Sequence, residues 1–203
     1  MRTLELFAGS CSFSKVAKER GHQTFTTDIE QFGEIDYVVD IMNFDFKRLP
    51  YHPDLIWASP PCQGFSVGAI GKNWNHDHTP KTHSARKAME LVEATLNIIN
   101  KLQPTYWFLE NPRGKLRKLP YPTLNFAYRH TVTYCQYGDT RMKPTDIWTN
   151  YEKWESRSIC KNGDSCHISA PRGSRTGTQG LKGSYERSVI PPALFEEIFE
   201  SIS

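Results

Sequence analysis

The chain has 203 residues, a net charge of +3 and 12% aromatic residues. That length suits one domain with at most a small appendage, and the aromatic content argues against a disordered chain. A charge this small excludes a general polycation, so any nucleic-acid contact has to come from a local basic patch.

Five cysteines, Cys11, Cys62, Cys135, Cys160 and Cys166, are odd in number and scattered, which argues against a disulfide framework and for a reducing compartment. The apolar run near the N-terminus is too short for a secretory signal, and no run reaches membrane-spanning length. The expectation is a soluble, cytoplasmic protein without membrane partners.

In chain order, "TLELFAG" is an apolar strand that ends in a turn at Gly9. Residues 12 to 20 carry Phe13, Val16 and Ala17 at helical spacing, and Gly21 is a stop. "QTFTTD" predicts a second strand ending in Asp28, "IDYVVDI" a third ending near Asp40, and "PDLIWAS" a fourth running into two prolines. Residues 67 to 84 predict a polar loop. The helix "ARKAMELVEATLNIINKL" follows, with Met89, Val92, Leu96, Ile99 and Leu102 on one face. "PTYWFLEN" predicts a fifth strand, "RHTVTYCQY" and "TDIWTN" a sixth and seventh, and "PPALFEEIFESI" a terminal amphipathic helix opened by proline.

Strands alternating with helices predict a mainly parallel, doubly wound α/β sheet, in which ligands bind at the carboxyl ends of the strands. Gly9, Asp28, Asp40, Cys62 and Glu110 all fall at such ends. The organisation expected is a cofactor-binding and catalytic domain over 1–150, an insertion over 151–185 and a closing segment over 186–203. The insertion is poor in Leu, Ile and Val and rich in Gly, Ser, Arg and Lys.

"LFAGS" at a strand end resembles a nucleotide-binding turn, and Asp28 stands where such units place a ribose-binding acid. No GxGxxG run is present, because Ser10, Cys11 and Ser12 follow Gly9, so a nucleoside-like ligand without a pyrophosphate fits better than a dinucleotide. In "ASPPCQGFS", Pro60 and Pro61 fix two successive φ angles and so aim Cys62, while Gly64 and Ser66 leave space around it. That arrangement suits a nucleophile as well as a packed core thiol. Glu110 follows an apolar run, and desolvation there would raise its pKa into the range of a general acid.

"LFAGS", "TTDIE", "VVDI", "SPPCQGFS", "FLENPRG", "CQYGDTRMKPTDIW" and "RSVIPP" follow one another in the order found in DNA cytosine-5 methyltransferases, which this chain resembles from residue 4 to residue 194. The resemblance implies a Rossmann-like class I S-adenosylmethionine-dependent methyltransferase fold with a small irregular insertion. It implies S-adenosyl-L-methionine as cofactor and DNA as partner, with base flipping. Single-stranded DNA, RNA or transfer of a modified methyl group remain alternatives, and an inactive nucleic-acid-binding homologue is the alternative of another class.

On the same resemblance, Phe7, Ala8 and Gly9 would border the methionine part of the cofactor. Asp28 would hold the ribose, Ile29 would lie against the adenine, Asp40 and Ile41 would face its edge, and Ser188 and Val189 would close the pocket. Cys62 would attack carbon 6 of cytosine and Glu110 would contact ring nitrogen 3. Arg141 or its competitor Lys143 would meet the carbonyl oxygen.

The chain departs from the family pattern at Ser10 to Ser12, at Pro112 after Asn111, at Arg187 in place of an asparagine, and in the shortness of residues 151 to 185. In that segment Arg172, Arg175 and Lys182 suit phosphates, and Gln179 or Arg175 a base edge. Arg113, Lys115, Arg117 and Lys118 form a further basic run beside Glu110. Cys160, Cys166 and His167 provide three donors where a structural zinc site uses four, and "HDHTPKTH" fits no zinc spacing, so no metal is expected.

Overall fold

The computed structural model describes residues 1–169 and 184–202. Among the described residues one sheet contains seven strands: β1 (Arg2–Leu6), β2 (Gln23–Asp28), β3 (Tyr37–Val38), β4 (Leu55–Ala58), β5 (Tyr106–Pro112), β6 (Tyr128–Thr133) and β7 (Pro144–Thr149). Their order is β3-β2-β1-β4-β5-β7-β6. The pairings among β1 to β5 are parallel, and β7 runs antiparallel to both neighbours. From β1 the chain winds outward to β2 and β3, then returns to place β4 on the other side of β1. The order therefore reverses between β1 and β4, and the loops leaving these two strands flank a crevice.

The register decides what lines that crevice. Thr27, Leu6, Ala58 and Leu109 lie side by side across four strands. The next residues along each strand are Asp28, Phe7, Ser59 and Glu110. Three stretches singled out in the sequence thus leave the sheet at one level.

The strands show the period-two alternation of a sheet covered on both faces. Ile56 and Ala58 pack on the side of α3 (His83–Leu102), with Ala85, Ala88, Val92, Leu96 and Ile99 of that helix. Leu55 and Trp57 pack on the other side, under α1 (Ser12–Glu19) and the C-terminal helix Pro192–Ser201. Phe13 sits fully buried between Trp57, Phe195 and Phe199, with ring centroids 5.8, 5.5 and 5.4 Å away. Burying one such ring contributes roughly 1.5–3 kcal/mol.

The structure corrects several sequence expectations. The third strand has two residues, because the Asp40 and Asp45 side chains cap 3-10 turns at Ile41–Asn43 and Phe46–Arg48 and end the extended run. The polar loop after the fourth strand is partly helical, with a 3-10 turn at Val67–Ala69 and the short α2 (Ile70–Asn73). The long helix starts earlier than expected, at His83, because the Thr82 hydroxyl accepts the Ala85 N–H at 3.2 Å.

The sixth strand stops at Thr133. Tyr134–Tyr137 forms a 3-10 turn closed by Gly138 at φ +88°. The start of the 151–185 segment borrows the main core: Trp154 is fully buried, edge-on to Phe108 at 5.9 Å.

Candidate active site

The loop leaving β1 holds three left-handed residues in five, Phe7 (φ +58°), Gly9 (+47°) and Cys11 (+52°). Two of them carry side chains. Such strain costs on the order of 1 kcal/mol or more per residue and persists only where surrounding bonds impose it. Those bonds are present: the Ala8 N–H donates to the Thr27 carbonyl at 2.9 Å, and the Gly9 N–H donates to the Asp28 carboxylate at 2.9 Å. Asp28 also accepts the Glu30 N–H at 3.1 Å, so the end of β2 is set before any ligand arrives.

The C-terminal segment lies against the same loop. Ile190 N–H donates to the Ser12 hydroxyl at 3.2 Å, and a Cβ added to Gly9 would meet the Ser188 hydroxyl at 3.7 Å and Asp28 at 3.9 Å. Gly9 therefore leaves a small cradle between Asp28 and Ser188. Beneath it lies Glu5, which the sequence reading passed over. Its buried carboxylate accepts the Ser14 N–H at 2.9 Å and the Phe13 N–H at 3.4 Å, at the start of α1. Burial pushes its pKa up to about 7, against the opposing pull of those hydrogen bonds. The clue available in the sequence was a lone acid inside the apolar run "TLELF".

The loop after β4 presents Cys62, half-buried, with its carbonyl accepting the Phe65 and Ser66 N–H groups at 2.9 and 3.0 Å. The Asn111 side chain donates to the Pro60 carbonyl at 2.9 Å and so ties the diproline to the end of β5. Next to it Glu110 is buried and accepts the Tyr134 hydroxyl at 3.1 Å. Burial pushes the Glu110 carboxyl up, opposed by Lys143 and by the Tyr134 bond and reinforced by Asp146. Burial likewise raises the Cys62 thiol, and Glu110 adds to that rise while Lys143 and Arg187 oppose it. A thiol, a carboxyl and an ammonium thus act on one another within one site.

The loop beyond Cys62 is held as a second layer. The Gly64 carbonyl accepts the Trp74 indole N–H at 2.7 Å and the Asn73 amide at 3.3 Å, and Phe65 stacks on Trp74 at 5.9 Å. Phe65 and Gly114 approach so closely that a Cβ on Gly114 would lie 2.3 Å from the Phe65 carbonyl oxygen.

The two competitors for the base carbonyl have different surroundings. Arg141 is buried, paired with Asp139, and donates to the carbonyls of Glu186, Arg187 and Val189. Its guanidinium ties the C-terminal segment to the sheet. Lys143, at a strained φ of +29°, lies 4.6 Å from the Tyr134 ring centroid and donates to the Arg187 carbonyl at 3.1 Å. Lys143 acts electrostatically on both Cys62 and Glu110, and Arg187 acts on Cys62 as well.

The basic run after Glu110 divides. Lys115 is buried against His78 at 2.6 Å, and Arg117 is paired with Asp146, which leaves Arg113 and Lys118 exposed. Ile29 is 63% exposed at the crevice, whereas the Ile41 side chain is buried in the core and leaves only its backbone to a ligand. Asp40 accepts the Met42 N–H at 3.0 Å, and Val189 is exposed. Arg172, Arg175, Gln179 and Lys182 lie outside the described residues. The sequence reading also missed Tyr134, Asn111 and Asp139, which position Glu110, the diproline and Arg141; the first two are revealed only by contacts between distant segments, the third by a pairing within one turn.

The family model for C-5 cytosine-specific DNA methylases matches residues 1–127, which include the strained loop, Asp28, Cys62 and Glu110. The chain belongs to the C-5 cytosine-specific DNA methylase family. It is 29% identical over 223 aligned positions to the "Probable DNA (cytosine-5)-methyltransferase" of Frog virus 3 (isolate Goorha), covering 98% of this chain and 99% of that protein. The type II methyltransferase M.AplI of Arthrospira platensis is 30% identical over 122 positions, which cover 57% of this chain and 32% of that protein. The chain therefore has the span of the viral methylase and about a third of the bacterial one. Among solved structures, a candidate DNA modification methyltransferase encoded within an E. coli prophage superposes with a TM-score of 0.55 at 15% identity, covering 99% of this chain and 69% of that one. At that identity the likeness concerns the fold, the Rossmann-like methyltransferase sheet described above.

Proposed function

We propose that this methylase transfers a methyl group from S-adenosylmethionine to carbon 5 of cytosine in DNA, with Cys62 as nucleophile and Glu110 as acid. The observation that carries the proposal is the common level of Asp28, Phe7, Ser59 and Glu110 across four adjacent strands. It brings a nucleoside-type crevice and a thiol–carboxyl pair to one edge of the sheet.

The donor set suits S-adenosylmethionine. Carboxylates at Asp28 and Asp40 match hydroxyl and amino groups and would repel a pyrophosphate, and the Gly9 cradle is bordered by Asp28 and Ser188. Phe7, Ala8 and Gly9 would border the amino-acid part, Ile29 the adenine face, and Ser188 and Val189 the outer wall. When bound, the cofactor supplies a sulfonium methyl, the electrophile that carbon 5 takes.

The chain's own residues prepare the base. The Cys62 thiolate adds its electron pair to carbon 6, while Glu110, whose carboxyl burial pushes toward the protonated form, delivers a proton to nitrogen 3. Carbon 5 thereby becomes nucleophilic. Once carbon 5 carries the methyl group, Glu110 takes the nitrogen 3 proton back, and loss of the carbon 5 proton to water forms the carbon 5–carbon 6 double bond and returns the carbon 6–sulfur electrons to Cys62. Lys143 is assigned to the base carbonyl in preference to Arg141, whose donors are committed to Asp139 and three carbonyls. The target base must leave its stack to reach Cys62. Exposed Arg113 stands at the end of β5 for a phosphate, and we extend that role to Arg172, Arg175 and Lys182, with Gln179 toward a base edge.

The test is transfer of labelled methyl from S-adenosylmethionine to duplex DNA, single-stranded DNA and an RNA hairpin in parallel. Label on carbon 5 of DNA cytosine, lost in Cys62→Ala, and a covalent adduct with 5-fluorocytosine DNA support the assignment. Preference for RNA moves the substrate, and methylation unaffected by Cys62→Ala removes the mechanism.

A further inference from the structure

We propose that Cys135, Cys160, Cys166 and His167 form a structural zinc site that clamps the beginning of the 151–185 segment to the end of β6. Sequence spacing supplied only three donors. The fold adds a fourth, because the chain turns after Thr133 and carries Cys135 out of the sheet toward the insertion.

The Sγ atoms of Cys135 and Cys160 lie 3.1 Å apart, and those of Cys135 and Cys166 3.5 Å. His167 Nδ1 is 3.7 Å from the sulfurs of both Cys160 and Cys166. All four donor atoms lie within 4.8 Å of one another. A tetrahedral zinc ion with Zn–S of about 2.3 Å and Zn–N of about 2.0–2.1 Å sets its donors roughly 3.5–3.8 Å apart. The observed separations bracket that range.

The donors come from three places in the chain and converge through specific local geometry. Between Cys160 and Cys166 a turn is closed by the Lys161 N–H on the Asp164 carboxylate at 2.6 Å and the Asp164 N–H on the Lys161 carbonyl at 3.1 Å, with Gly163 at φ +97°. On one flank the Cys160 N–H donates to the Thr133 hydroxyl at 3.1 Å, and on the other the Ile168 N–H donates to the Thr140 carbonyl at 2.9 Å. These bonds hold the segment against the end of the β6–β7 hairpin and keep the four donors together.

Ordinary packing explains the cluster poorly. Neutral thiols are weak hydrogen-bonding groups, and Cys166 is exposed, so no core demands its convergence with an imidazole. A Cys135–Cys160 disulfide would leave Cys166 and His167 without a role. A metal gives all four one role, and it answers a need: Ile159 and Ile168 are 51% and 63% exposed, so this segment has little apolar burial to hold it beyond Trp154. The clamp adjoins the chemistry through Tyr134, the neighbour of Cys135 and the hydrogen-bond donor to Glu110.

The experiment uses the full chain, purified without a histidine tag under reducing conditions. Elemental analysis is expected to find about one zinc per chain. After chelation, cobalt(II) titration should give the sulfur-to-metal charge-transfer bands and intense d–d bands of a tetrahedral thiolate site. Cys62→Ala should keep full metal content, whereas Cys166→Ser, at an exposed position, and His167→Ala should reduce it and expose the 151–169 segment to protease. The proposal is overturned by a folded, reduced chain that binds neither zinc nor cobalt. It is equally overturned by full metal content in Cys166→Ser and His167→Ala, or by a thiol count that shows a Cys135–Cys160 disulfide in the active protein.

Discussion

Glu5→Gln is expected to abolish a fall in stability with rising pH. Two effects compete at Glu5. The N-terminus of α1 and its two N–H donors favour the carboxylate, an effect worth about 0.3–2 kcal/mol for helix ends. Complete burial in β1 disfavours it by more, and the balance moves the carboxyl from its ordinary 4.5 to about 7.

Below pH 4.5 both folded and unfolded chains carry the proton. Between 4.5 and 7 the folded chain keeps it while the unfolded chain releases it. Above 7 the folded chain must bury a charge. The stabilisation is therefore complete below the unfolded pKa and lost as pH rises through the folded one. Between pH 5 and pH 8 the loss from this residue is roughly 2.5 kcal/mol. For a chain of this length that corresponds to about 5–10 °C in Tm.

Urea unfolding of the parent and Glu5→Gln at several pH values measures the difference directly. The glutamine keeps an acceptor for the Ser14 N–H and cannot titrate, so the difference between the two curves isolates Glu5 from Glu110 and the histidines. Parallel curves would refute the reasoning, and a difference of opposite sign would show that the helix end outweighs burial.

Further expectations concern the site. Glu110→Gln keeps the shape and an acceptor for the Tyr134 hydroxyl but removes the transferable proton; methyl transfer should fall about 10²–10⁴-fold with an unchanged melting curve, and an unchanged rate would end the acid assignment. Arg141→Ala strands Asp139 and frees three carbonyls, so it should cost about 3 kcal/mol or more in unfolding free energy. Lys143→Ala should leave stability within about 1 kcal/mol while lowering turnover, and the reverse pattern would exchange the two roles. Gly114→Ala drives a Cβ into the Phe65 carbonyl and should cost about 1–3 kcal/mol, with a drop in kcat because Phe65 anchors the Cys62 loop; calorimetry and single-turnover kinetics check both.

Much of the architecture is carried by short-range pattern. The unbroken apolar run "LIWA", buried on both faces of the sheet, the 3.6-residue stripe of the long helix and the diproline before Cys62 are local, so the strands, the helix and the stiff thiol loop are legible one at a time. The third strand and the end of the sixth were less legible, because Asp40 and Asp45 caps and a left-handed Gly138 override the apolar run.

What the sequence by itself determined is the set of chemical groups at strand ends: the loop at Gly9, Asp28, Cys62 and Glu110, each specified by residues within a few positions. Which groups are free to act was decided only by the tertiary structure. Arg141 and Lys143 are two residues apart, yet one is committed to Asp139 and three C-terminal carbonyls while the other spends one bond on the Arg187 carbonyl and acts on the thiol. Cys135 meets Cys160 only because β6 ends one residue before Tyr134. Both outcomes depend on contacts between segments 25 to nearly 50 residues apart, and local periodicity carries no information about a partner at that distance.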